Sequence, residues 1–108
     1  MNLKKEEREE KEEKSATITL KYVKEKKILI VKNNGKSKAR NVIVKSLSDN
    51  DPVSKMLNYH FPRKYINPYE EISLDVLLER HQDNIIEYLY KWNDDLGEHE
   101  DTQIIQYM

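Results

Sequence analysis

Cysteine is missing from this chain altogether, and glycine, proline, tryptophan and phenylalanine are scarce: two, three, one and one in 108 residues. Without cysteine there is no disulfide framework, no thiol nucleophile and no cysteine-ligated zinc. The lack suits a reducing compartment, and equally a Gram-positive-type surface, so a cytoplasmic and a membrane-associated location both stay open. So few glycines and prolines exclude collagen-like repeats and low-complexity linkers. No apolar run approaches the ~20 residues that span a bilayer, and no signal-peptide core follows Met1, so the chain as given reads as soluble. No internal repeat is present.

What remains is 36 % charged and 37 % hydrophobic, enough apolar material for one domain with a modest core. The net charge of −1 conceals a division. Residues 15–69 hold twelve Lys/Arg against three Asp/Glu, and residues 70–108 hold two against eleven. Such a division marks either a basic patch for nucleic acid or anionic lipid, or strands from the two portions that lie side by side and offset one another. The second reading is preferred.

Residues 1–14, MNLKKEEREEKEEK, read as a charged tail or the end of a helix, with Glu7–Lys11 and Glu10–Lys14 at helical spacing. This segment is short and lacks an apolar stripe, so it is marginal as a helix by itself. The alternative is the end of a longer helix continuing from a membrane anchor. Residues 15–108 form the domain. From Ser15 the apolar period becomes two: Ile18, Leu20 and Tyr22 alternate with Thr and Lys. Lys24-Glu25-Lys26 is a turn, and Ile28–Val31, apolar on both faces, is a central strand.

Asn34-Gly35 then poses as a hairpin tip. That register would set Val31 opposite Lys38, Leu29 opposite Arg40 and Ile28 opposite Asn41, charge or amide beside core on one face. We therefore read 33–39 as an arch that carries the chain to a second sheet, with Gly35 supplying a positive φ and Ala39 a small plug. Val42 and Val44 share one face of the next strand, with Leu47 close behind. Residues 53–61 are an irregular, short helical or strand connection. Ile72, Leu74, Val76 and Leu78 point inward on a strand over 72–78, after which 79–84 is a polar loop. Ile86, Tyr88, Tyr90 and Trp92 alternate on a long strand, residues 94–97 turn, and Thr102–Tyr107 returns. Six or seven short strands predict an all-β, two-sheet antiparallel sandwich of the immunoglobulin-like kind.

The pattern Val31, Asn33, Gly35, Ala39, Val42, Val44 resembles the B–C arch of immunoglobulin-like modules typified by CARDB domains, which recur in bacterial surface and membrane-anchored proteins. Tyr65-Ile66-Asn67-Pro68-Tyr69-Glu70-Glu71 resembles their L-x-P-G-E turn before strand E, and Tyr90-x-Trp92-x-x-Asp95-x-Gly97 their last hairpin. Tyr69 stands where those modules carry glycine, so a turn of another type is expected. The likeness spans roughly residues 16–107 and implies the fold; the reading as a non-catalytic interaction or structural module rests on the candidate residues themselves.

Candidate chemistry is sparse. His60, His81 and His99 lack zinc-ligand spacing and read as loop residues. Asp94–Asp101 is acidic but lacks the spacing of a calcium loop and reads as a solvated turn. There is no Gly-x-Ser-x-Gly, no phosphate-cradling loop, and no carboxylate in an apolar setting, so neither catalysis nor a cofactor is expected. The candidate interaction surface is basic and tyrosine-rich: Lys24, Lys26, Lys27, Lys36, Lys38, Arg40, Tyr59, Tyr65 and Tyr69. For the lysines the reading ranked first is edge charges that discourage aggregation, and for the tyrosines capping of the sandwich ends is the more frequent role. The expected partner is another protein, unidentified, reached in one scheme by strand addition at an exposed edge. Membrane proximity ranks second. Nucleic acid ranks third, for want of aromatics interleaved with the lysines.

Overall fold

The computed structural model describes residues 12–48, 50–78 and 83–108, of which 12–14 are helical. Seven strands follow: β1 (Ile18–Val23), β2 (Ile28–Asn33), β3 (Ala39–Ser46), β4 (Arg63–Ile66), β5 (Glu71–Asp75), β6 (Ile85–Asp94) and β7 (Gly97–Gln106), with one helix, α1 (Ser54–His60), between β3 and β4. They form two antiparallel sheets, β1-β2-β5 and β4-β3-β6-β7, an immunoglobulin-like sandwich. Alternation drives the assembly, since Ile18, Leu20, Leu29, Val31, Val42, Val44, Ile72, Leu74, Ile86, Tyr88, Tyr90 and Trp92 all turn inward and are buried.

Residues 33–39 are indeed an arch between the sheets, and Asn33 is its fastening. The wholly buried Asn33 side chain accepts from the backbone N–H of Thr17 (3.1 Å) and of Gly35 (2.9 Å), and donates to the carbonyls of Ser37 (2.8 Å) and Ile66 (3.1 Å). Its backbone N–H donates to Glu70 and its carbonyl accepts from Tyr69. Ala39 is fully buried beneath the bend, as expected. The role expected of Gly35 is corrected: its φ is not positive. A Cβ there would lie 2.4 Å from the Ser15 carbonyl oxygen and 2.6 Å from the Ala16 Cα. Glycine is required because two backbones touch.

A second correction concerns the turn before β5. Tyr69 itself adopts φ 64°, and Glu70 N–H closes onto the Asn67 carbonyl at 3.0 Å. A tyrosine occupies the left-handed position that glycine takes at no cost, so the turn keeps its type.

The two sides of the sandwich close differently. On one side β1 lies beside β7, and side chains replace the missing ladder. Gln103 accepts from Leu20 N–H and donates to Leu20 C=O, Asp94 accepts from Ala16 N–H, and the Trp92 indole donates to Ala16 C=O. On the other side α1 fills the gap, with Val53, Leu57 and Phe61, four residues apart, buried on one face. Two expectations about 72–107 change: the fifth strand ends at Asp75, which leaves Leu78 37 % exposed instead of inward, and the last strand begins at Gly97.

Candidate interaction surfaces

The sandwich has two unlike ends. The β2 register puts Ile28 against Asp75 and Asn33 at the arch, so the 24–27 turn and the arch lie at opposite ends of one strand. The nine candidate residues are therefore divided. Lys24, Lys26 and Lys27 occupy the turn end. Lys36, Lys38, Arg40, Tyr65 and Tyr69 gather at the arch end, and Tyr59 stands apart on α1, 83 % exposed.

Ion pairing separates the two groups further. At the arch end, Lys36 reaches Glu12 (3.6 Å), Arg40 reaches Asp95 (3.1 Å) and Arg63 reaches Glu70 (3.3 Å), while on β2 and β5 Lys32 faces Glu71 (3.6 Å). Lys38 lies over the Tyr65 ring, 4.4 Å from its centroid. Three of these pairs join the basic 15–69 portion to the acidic 70–108 portion. This is the offsetting arrangement preferred from the sequence. Lys24, Lys26 and Lys27 are all exposed and form no ion pair among the described residues.

The most constrained polar cluster lies near the arch end, at the β6–β7 turn. Asp94 has a fully buried carboxylate that accepts from Ala16 N–H (2.9 Å), Leu96 N–H (2.8 Å) and His99 Nε2 (2.8 Å). Burial works to raise this carboxyl, but the three donors and the His99 charge outweigh it and hold the group below its ordinary 3.8. His99 stacks on Trp92, which stacks on Tyr90, with centroids 5.3 and 5.8 Å apart. The expectation that His99 is a loop residue is corrected: it lies on β7, and Asp94 orients it. His60 is likewise the last residue of α1, whereas His81 lies outside the described residues.

No family model, curated protein or solved structure matches the chain.

A second buried cluster closes the turn end. Asp51, 5 % exposed, accepts from Val53 N–H (2.6 Å) and from the Tyr88 hydroxyl (3.0 Å), and the Tyr88 and Tyr107 hydroxyls share a hydrogen bond of 2.5 Å. Burial first, and then the Tyr107 hydroxyl, pushes Tyr88 well above the ordinary tyrosine value; burial and the Asp51 charge do the same to Tyr107. Asp51 Oδ2 has no partner among the described residues. Neither buried cluster was expected from the sequence. The only available signal was the polar Asp94 continuing the inward series Tyr88, Tyr90, Trp92, in a place where alternation alone would put an apolar residue.

Depressions in the described surface are open grooves. One follows Asn41, Ile43, Trp92 and His99; another follows Asn34, Gly35, Lys36 and Tyr69. Among the described residues no three His, Cys, Asp or Glu come together as metal ligands, and no helix is long and apolar enough to cross a membrane.

Proposed function

We propose that this domain is a non-catalytic recognition module that works through its ends and edges. The observation that supports the reading is how the buried polar side chains of the arch and of the β1 seam are used. Asn33, Asp94 and Trp92, with the half-buried Gln103, spend their hydrogen bonds on the backbone of Ser37, Ile66, Ala16, Thr17 and Leu20. A catalytic site leaves such groups aimed at a space a substrate can enter; here they hold strands together. Strand addition belongs to the β4 and β5 edges in this scheme, because the β1 edge is met by side chains from sheet β4-β3-β6-β7.

The His99–Asp94 pair is where catalysis would reside if the reading were mistaken. Broad assays for ester, phosphoester and glycoside hydrolysis on the purified domain are expected to stay at background. A turnover that survives repurification and disappears in His99→Ala overturns the proposal.

A further inference from the structure

We infer that the turn end of the sandwich is a docking surface for an anionic phospholipid membrane. This rests on the reading of the domain as a recognition module and names its partner.

Two independent observations meet at this end. The first is unspent positive charge. Lys21, Lys24, Lys26 and Lys27 are exposed and without ion pairs among the described residues, whereas Lys32, Lys36, Arg40 and Arg63 are all paired. Lys38, Lys45, Lys55, Lys64 and Lys91 are also exposed and without ion pairs among the described residues, but only here do four such lysines fall within seven residues. Glu25 and Asp75 flank the lysines and Asp83 and Glu87 lie farther off beside Leu47 and Ile85, so the lysine excess is confined to the 24–27 turn. The second is aliphatic exposure. The Val76 N–H bonds to the Lys27 carbonyl at 3.0 Å, which brings Leu77, 72 % exposed, and Leu78 beside the lysine turn. Leu47, Ile85 and Met108 project from the same end, where β3 and β7 finish and β6 starts. Of the large apolar side chains exposed among the described residues, those at the arch end are Tyr65, Tyr69 and Leu96.

Protruding aliphatics beside unpaired lysines match the two layers of a membrane surface: acyl boundary for the leucines, anionic headgroups for the ammonium groups. Nucleic acid fits less well, because stacking needs aromatic rings or arginine planes. The exposed tyrosines lie on α1 and at the arch end, and this end has no described arginine.

The test is sedimentation of the domain with phosphatidylcholine vesicles, with and without about 30 % phosphatidylserine, at several salt concentrations. Binding that requires phosphatidylserine and weakens with salt is expected. Lys24→Glu/Lys26→Glu/Lys27→Glu should weaken it by at least about a hundredfold, the loss of three lysines alone counting roughly 1 kcal/mol each near the surface. Leu77→Ser/Leu78→Ser should weaken it by at least about tenfold. Lys36→Glu/Lys38→Glu, at the other end, should leave it unchanged. All these positions except Leu78 (37 %) are well exposed, and melting curves check that each variant folds. Absence of serine-dependent binding overturns the inference. So does equal binding by the leucine variant, which would mark a general polyanion site; retention on DNA at about 0.1 M salt, lost only with the lysines, identifies that outcome. Neither result touches the non-catalytic reading, which only the turnover assays decide.

Discussion

Asn33 uses both lone pairs of its side-chain oxygen and both of its amide hydrogens on backbone groups from four places in the chain, so its loss leaves four groups to find new partners. Each buried unpaired group costs about 1–3 kcal/mol. Asn33→Ala is therefore expected to lower stability by about 3 kcal/mol or more. Asn34→Ala, which removes one exposed contact with Thr19, should cost less than about 0.5 kcal/mol. Urea titration checks the pair, and equal midpoints for the two variants would refute the fastening role. The identity of Asn33 was legible in the arch pattern, but its four partners were not, because three of them lie outside that pattern. Gly35 was legible as indispensable and misread in its reason. Sequence points to a glycine at a bend, but only the approach of Ser15 and Ala16 distinguishes a crowded glycine from a left-handed one.

At the scale of elements, β1 depends on its neighbour sheet through single side chains. Gln103→Glu keeps an acceptor for Leu20 N–H but sets a carboxylate against Leu20 C=O, so it should loosen β1 more than its small change in shape suggests. Faster amide exchange at Leu20, with β3 and β6 unaffected, is the expected result; an unchanged Leu20 rate would show that the β2 ladder alone holds the strand. The same side chain explains why β7 was half hidden. The residues that share a face with Ile105 are His99, Asp101 and Gln103, all polar, so no apolar alternation announces the strand before Ile104. β4 was illegible for a related reason: of Arg63–Ile66 only Ile66 is buried. By contrast β1, β2, β3 and β6 carry their inward faces openly, and the misfit of Leu29 and Val31 with Arg40 and Lys38 predicted the sheet change. The lysine end was half legible. Its charges stood in the sequence, but which acids would reach which bases depends on the sheet order.

For the molecule as a whole, the two buried clusters set opposite limits on pH. Asp94 titrates lower when folded than when unfolded, so its contribution is complete above 3.8 and is lost as pH falls through the folded value. Tyr88 and Tyr107 titrate higher when folded, as does Tyr90, so their contribution is complete below 10.0 and is lost as pH rises above it. Thermal melts across pH should fall away at both extremes. Asp94→Asn is expected to flatten the acid limb alone, and Tyr88→Phe the alkaline limb alone; a variant that shifted both limbs equally would contradict this assignment. The side-chain stitching of β1 has a mechanical consequence. Contacts run from Ala16 with Asp94, through Leu20 with Gln103, to Tyr22 with Tyr107, so β1 and β7 point the same way. Tension entering near residue 15 and leaving near residue 107 pulls the two strands past each other. The hydrogen bonds along this seam then share the load at once instead of peeling in sequence, and the domain resists stretching better than its few stitches suggest.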